Sequence, residues 1–215
     1  MIDTTLAPEH ASARLGKLTA SRIADATART AGGKWGASRA NYLSQLLVER
    51  LTGVAAERFV TKEMLWGIET EAQARAAYQF YHDATIEPSG FVDHPHVPMS
   101  GASPDGLIGA QGLIEIKCPN TATHIDFLLT DEVDLKYRKQ MCWQLLCTER
   151  EWCDFASFDP RMPEPLQLRV RRFTLADLLA DNQIKNIVAE AAEFVAELAA
   201  KEAALRAQIE RREAA

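Results

Sequence analysis

The sequence predicts an α/β (α+β) fold, with a central mixed β-sheet flanked by helices and a long helix at the C-terminal end. Three observations carry this expectation. Apolar residues recur at helical spacing in 38–52, 61–82 and 175–211. Between about 85 and 118 the pattern changes to short alternating runs punctuated by proline, glycine and aspartate. Further strand-like runs at 152–158 and 166–173 follow two helical stretches, so helices and strands interleave and can pack on one another.

Taken in order, Thr19-Ala20-Ser21 suits the cap of a helix reaching about Ala28, with Ser21 near its start. A glycine-rich loop, Gly32-Gly33-Lys34-Trp35-Gly36, leads to a helix over 38–52. That helix packs through Tyr42, Leu43, Leu46, Leu47 and Leu51, and Gly53 stops it. A helix over 61–82 is expected to bury Leu65, Ile68, Ala72, Ala76 and Phe80. Strands follow at 85–92, 97–101, 106–109 and 113–118, then helices at 122–129 and 134–148. Residues 152–158 and 166–173 alternate as strands. The last helix, 175–211, groups Leu175, Leu178, Leu179, Ile187, Phe194, Val195 and Leu198 on one side. With no internal repeat and no low-complexity linker, residues 1–215 read as one domain, the charged stretch 201–215 being a fraying helical end.

A hydrophobic content of 47% with 25% charged residues is ordinary for a soluble globular protein. Cys118, Cys142, Cys147 and Cys153 form no C-x-x-C pair and lie in or near apolar segments, which suggests buried thiols in a reducing cytoplasm. No signal peptide and no membrane-spanning run is visible, so a cytoplasmic location is expected. A net charge of −6 argues against a protein that coats nucleic acid indiscriminately, yet allows positive charge confined to a channel. Residues 1–50 hold Arg14, Lys17, Arg22, Arg29, Lys34, Arg39 and Arg50 against Asp3, Glu9, Asp25 and Glu49. That segment is the place to seek phosphate contacts, with a solvated basic face as the alternative.

The chemistry concentrates in Ser103-Pro104-Asp105-Gly106 and the following Gly112-Leu113-Ile114-Glu115-Ile116-Lys117-Cys118-Pro119. Side chains at i and i+2 of a strand share a face, so Glu115 and Lys117 project together while Ile114 and Ile116 turn to a core. Two carboxylates can hold Mg²⁺, and an ammonium beside them can orient or deprotonate a water, as phosphodiester hydrolysis requires. An E-x-K pattern alone heavily favours a solvated strand face; the proline-aspartate turn, the apolar strand and the motifs elsewhere in the chain reverse the odds.

Five ordered segments then acquire a common meaning. They are Arg14-Leu15-Gly16-Lys17-Leu18-Thr19-Ala20-Ser21, Leu65-Trp66-Gly67-Ile68-Glu69-Thr70-Glu71, the Ser103–Pro119 block, Tyr137-Arg138-Lys139-Gln140 and Phe158-Asp159-Pro160-Arg161-Met162. Together they resemble the lambda exonuclease or YqaJ-type viral recombinase family, within the PD-(D/E)xK nuclease superfamily. The resemblance implies a restriction-endonuclease-like core and a Mg²⁺-dependent, ATP-independent, processive 5′→3′ exonuclease on duplex DNA ends. It further implies a 3′ single-stranded product for an annealing partner protein, and a ring-shaped homotrimer around the DNA.

By the same resemblance Asp105 and Glu115, with the backbone carbonyl of Ile116, hold two Mg²⁺ ions that Mn²⁺ can replace. Glu71 completes the acidic cluster directly or through water, and Lys117 orients the attacking water or accepts its proton. Arg14 holds the terminal 5′ phosphate, with Ser21, Ser103 and Gln140 as hydrogen-bonding partners, and Met64 stands where the family places a strand-separating apolar residue. His10 departs from the pattern, since the lambda enzyme has a tryptophan there. His94, His96 and His124 lack the further ligands a zinc site needs and are expected in surface loops. Rival readings are a sequence-specific endonuclease on the same core, a nuclease with an iron–sulfur cluster on Cys142, Cys147 and Cys153, and a non-catalytic DNA-end clamp.

Overall fold

The computed structural model describes residues 12–56 and 61–214. Strand β1 (Leu18–Thr19) leads through a single 3₁₀ turn, Ala20–Arg22, into α1 (Ile23–Ala26) and then α2 (Ala37–Thr52) and α3 (Lys62–His82). Strands β2 (Ile86–Glu87), β3 (Val92–Asp93), β4 (Ser100–Ala102), β5 (Gly106–Ile108) and β6 (Gly112–Lys117) follow. Helices α4 (Thr121–Thr130) and α5 (Leu135–Thr148) precede β7 (Trp152–Phe158) and β8 (Leu168–Thr174). Helices α6 (Leu175–Ala180) and α7 (Ile187–Glu213) complete the described chain.

The main sheet has the order β2-β5-β6-β7-β8, and a small one the order β1-β4-β3. β5–β6 is an antiparallel hairpin, whereas β6 and β7 run parallel, with Glu115 opposite Phe155 and Lys117 opposite Ser157. A parallel pair needs a crossover, and α4 and α5 supply it. β6 is therefore covered on both faces. Ile114 and Ile116 pack with Ala74 and Tyr78 of α3 and with Ala156 and Phe158. Leu113 belongs to the larger core of Met141, Trp143, Phe155, Phe173 and Phe194.

Local signals explain most element ends. Gly53 takes φ +70° and returns its N–H to Glu49 O at 2.9 Å, closing α2. Thr61 caps α3 by accepting from the Met64 N–H, and Asn120 caps α4 from Thr123. The helix expected from Ser21 to Ala28 is shorter: Ala20–Arg22 is a 3₁₀ turn and only Ile23–Ala26 is α-helical, with no side-chain cap. The helix expected over 175–211 is broken at 181–186. Its charged end is helical to Glu213, where Glu202 pairs with Arg50 at 3.3 Å and Arg206 donates to the Arg50 carbonyl at 2.9 Å.

The packed face expected for α3 is also corrected. Ile68 and Phe80 are 47% and 79% exposed, and Thr70, Ala74 and Tyr78 are buried instead. The most apolar stripe lost to the stripe that carries Tyr78, whose hydroxyl donates to the buried Asp154 carboxylate at 2.6 Å. Arg172 grips the same carboxylate at 2.7 and 2.8 Å, so one acid ties α3, β7 and β8 together. Of the three histidines expected in surface loops, His96 is exposed in a loop, but the other two are buried. His94 is buried, accepts the His96 and Val97 N–H groups at Nδ1 and stacks on Trp143. His124 is fully buried between Ser157 Oγ and the Leu166 carbonyl. The cysteines do match expectation: all four are free thiols, three of them buried. Among the described residues no helix is long and apolar enough to cross a membrane.

Much of the basic N-terminal segment is spent on ion pairs, three of them to α7. Arg29 pairs with Glu190 at 2.9 Å, Arg39 with Glu197 at 2.5 Å and Arg50 with Glu202, while Lys17 pairs with Asp93 and Arg22 with Asp25. Arg39 is 4% exposed and stacks over Trp35 at 4.3 Å. Replacing Arg39 by Ala should therefore cost about 1–3 kcal/mol of stability in urea unfolding, by removing its buried stacking on Trp35 and Phe194, while Glu197 keeps Lys201. A surface charge would change the midpoint by almost nothing.

Candidate active site

Asp105 ends the Ser103-Pro104 turn and directly precedes β5. The pairing of Gly106 with Ile114 sets Asp105 across from Glu115 and Ile116, and its Oδ2 accepts the Ile116 N–H at 2.7 Å. Gly106 is required by this closeness: a Cβ there would stand 2.2 Å from Ile86 Cγ2 of the neighbouring strand. Glu115 has no solvent exposure, contrary to a solvated strand face. Its Oε1 is paired with Lys117 Nζ and accepts from Gln140 Nε2 at 2.7 Å, and its Oε2 accepts from Gln144 Nε2 at 2.6 Å. Both glutamines lie on α5, one turn apart. Gln144 is buried with its own Oε1 lacking any protein partner, an arrangement that costs about 1–3 kcal/mol.

Glu71 approaches from α3. Arg75, one turn later, holds Glu71 Oε1 through Nε at 3.0 Å and Nη2 at 2.7 Å, and Nη2 also donates to the Asp105 carbonyl. The Lys117 ammonium lies 5.1 Å from the Tyr137 ring centroid. Burial and the neighbouring Glu115 charge push the Asp105 carboxyl well above the usual carboxylate range, with Lys117 opposing. Burial alone would lower the Lys117 pKa, but the Glu115 and Asp105 charges outweigh it and raise it, so Lys117 is an ammonium.

Two cavities meet at Glu71 and Asp105. One, of about 440 Å³, is also lined by Met64, Ile68, Ile116, Lys117 and Tyr137. The other, of about 380 Å³, is lined by Arg14, Arg75, Ser89 and Ser103. Met64 is 44% exposed at the rim and not in the core. The segment after β7 fixes this end of α3. Asp159 accepts from Thr121 Oγ1 at 2.7 Å and from Arg161 Nε at 2.7 Å, and the Arg161 guanidinium lies 4.3 Å from the Trp66 ring centroid. Burial would raise the Asp159 pKa, but the Arg161 and Thr121 hydrogen bonds hold it down at about 2.

Residues 9–151 match the YqaJ-like viral recombinase domain. The chain belongs to that family. It is also similar to the structure of an alkaline exonuclease (LHK-Exo) from Laribacter hongkongensis. The identity is 42% over 95% of this chain and 99% of that one, with a TM-score of 0.86. LHK-Exo in complex with dAMP matches at 41% identity, with the same coverage and TM-score. A phage-related exonuclease from Haemophilus somnus 129PT shares the fold at 15% identity and a TM-score of 0.65, over 86% and 96% of the two chains. No curated protein matches the sequence.

Of the residues the YqaJ-type resemblance singled out, Asp105, Glu115, Lys117, Glu71 and the Ile116 backbone are brought together, with Gln140 on Glu115. Arg14 and Ser103 line the adjoining cavity, and Met64 the opposite one. Ser21 lines neither; its Oγ is 3.3 Å from Thr19 Oγ1, and a four-residue helix gives it no sizeable dipole. His10 lies outside the described residues. Arg75 and Gln144 escaped sequence reasoning, although each stands four residues after a singled-out residue on the same helix.

The donors suit a hard divalent cation: two acids and a backbone carbonyl, all oxygen, with two carboxylates crowded closely enough to raise one pKa. Among the described residues no three His, Cys, Asp or Glu side chains are already gathered as a ligating cluster. Each acid is instead turned to a protein donor, Asp105 to Ile116, Glu115 to Lys117 and the glutamines, Glu71 to Arg75. Each carboxylate retains further lone pairs. The residues therefore fit Mg²⁺ or Mn²⁺.

A carboxyl whose folded pKa is raised costs stability as pH rises from its unfolded value through its folded one. Metal-free Asp105→Asn should accordingly melt above the wild type at pH 8, the gap closing towards pH 4. Mg²⁺ should raise the wild-type Tm and leave that of Asp105→Asn nearly unmoved. Thermal unfolding in EDTA and in Mg²⁺ checks both.

Proposed function

We infer that the protein is an exonuclease with a role in recombination, a reading supported by family membership and by similarity to alkaline exonuclease structures. We propose that the protein is a Mg²⁺-dependent, ATP-independent exonuclease that digests the 5′-ended strand from duplex DNA ends, processively, leaving 3′ single strands for an annealing partner. The observation that carries this reading is the convergence of Asp105, Glu115 and Lys117 beside a cavity lined by Arg14 and Ser103. The dAMP held by one LHK-Exo structure is the kind of monomer that stepwise digestion releases.

In this reading Asp105, Glu115 and the Ile116 carbonyl hold two Mg²⁺ ions, with Glu71 assisting directly or through water. When bound, Mg²⁺ would supply charge neutralisation at the scissile phosphate and a more acidic water. Lys117, kept cationic by Glu115, orients the attacking water and offsets negative charge developing on phosphorus. Arg14 takes the terminal 5′ phosphate with its planar fork, Ser103 adding a hydroxyl donor. Ser21 joins them only if the DNA end reaches that turn. Gln140 is partly exposed, so its amide can serve Glu115 and an incoming phosphate in turn. Met64, at the rim of the opposite cavity, is placed to part the last base pair.

Arg14→Ala should remove most of the preference for 5′-phosphorylated over 5′-hydroxyl linear duplex, while Asp105→Ala, Glu115→Ala and Lys117→Ala should nearly abolish hydrolysis of both. Digestion that starts from 3′ ends would overturn the polarity. Equal rates on the two wild-type substrates would remove the phosphate clamp, and cutting of closed circles would favour an endonuclease.

We also propose a cytoplasmic homotrimeric ring, which lets an acidic protein enclose DNA. Because Arg29, Arg39 and Arg50 are engaged with α7, its channel would draw on Arg14 and on charges outside that bundle. Light scattering should give three times the 23.8 kDa chain mass, and a monomer at all working concentrations would refute the ring.

A further inference from the structure

Gln144 is an anomaly in the core. It has no exposure, and its carbonyl oxygen has no protein partner. Turning the amide over would not relieve it, because the carbonyl would then face the Glu115 carboxylate. The orientation is therefore dictated by one contact, the 2.6 Å hydrogen bond from Nε2 to Glu115 Oε2. Methionine or leucine would fill such a place without the polar cost if volume were all that mattered.

The two glutamines that hold Glu115 are not equivalent. Gln140 donates to Oε1, the oxygen that Lys117 also contacts, and is partly exposed. Gln144 donates to Oε2 from the sealed side of α5. An exposed donor can exchange its partner when substrate or metal arrives, whereas a sealed one keeps its partner.

We propose that Gln144 is the positioning residue that fixes the Glu115 carboxylate for metal binding: it occupies Oε2, so that Oε1 is the oxygen presented towards Lys117. A Glu side chain has three rotatable bonds, and freezing it before the ion arrives removes that ordering cost from the binding step. Donors to a ligating carboxylate typically influence metal affinity about 10–100-fold. This inference rests on the reading of Glu115 as a metal ligand.

The test uses the full chain and Mn²⁺ as probe, titrated calorimetrically at pH 8, with Gln144→Met as a near-isosteric variant that lacks the amide. Mn²⁺ affinity should fall about 10–100-fold. The Mn²⁺ concentration giving half-maximal digestion of linear duplex should rise by more than the limiting rate falls. In a Glu115→Ala background, Gln144→Met should weaken Mn²⁺ binding no further. Wild-type affinity in Gln144→Met, alongside weakened binding in Glu115→Ala, would overturn the inference and leave the Glu115 assignment standing. Wild-type affinity in Glu115→Ala would instead overturn that assignment, and the inference with it. Should Gln144→Met fail to fold, Gln144→Leu carries the same comparison with the same two outcomes.

Discussion

A carboxylate without solvent exposure, in the interior of the central strand, is the constraint on which the rest of the molecule depends. An ionised group in that position is tolerated only when it is paired and hydrogen-bonded. Glu115 receives the Lys117 ammonium from its own strand and two amide donors from α5. That requirement fixes where α5 lies: across β6, with its Gln140–Gln144 face inward and its apolar residues Met141, Cys142 and Leu145 filling the core around them. The crossover that carries α5 makes β6 and β7 parallel, and β7 then presents Asp154 to Tyr78 and Arg172. The placement of α5 thus answers the demands of one buried acid, Glu115, while a second, Asp154, docks α3.

The catalytic strand was legible because its signal is local. The two-residue period of a strand puts Glu115 and Lys117 on one face, and the hairpin to β5 returns Asp105 beside them, as the Pro-Asp-Gly turn implies. Strong helix punctuation was legible for the same reason, as at Gly53. What was not legible depends on partners far along the chain. The charge excess of residues 1–50 looked like a phosphate surface, but Glu190, Glu197 and Glu202 of α7 neutralise much of it. The apolar stripe of α3 looked like its buried face, but the Tyr78–Asp154 bond rotates the helix to another. The burial of His124 was not legible because its partners, Ser157 Oγ and the Leu166 carbonyl, come from other elements. Arg75 and Gln144 matter only through groups on neighbouring strands, and a residue pattern on one helix does not announce those.

The position of Glu71 gives the site its asymmetry. With Asp105 it forms the wall common to both cavities, one side cationic and hydroxylic with Arg14, Arg75 and Ser103, the other more apolar with Met64, Ile68 and Tyr137. A terminal phosphate and a base pair have opposite demands, one for charge-assisted hydrogen bonds and one for apolar contact. On the proposed function, a strand end lying across the acids with its phosphate on the Arg14 side would meet both demands; reversed, its phosphate would lie beside the exposed Met64 and Ile68 with Lys117 as the nearby cation, and a guanidinium would face a base. Directional digestion by the proposed activity would then need no separate motor, since the chemical difference between the two sides would bias which end is seated over Glu115.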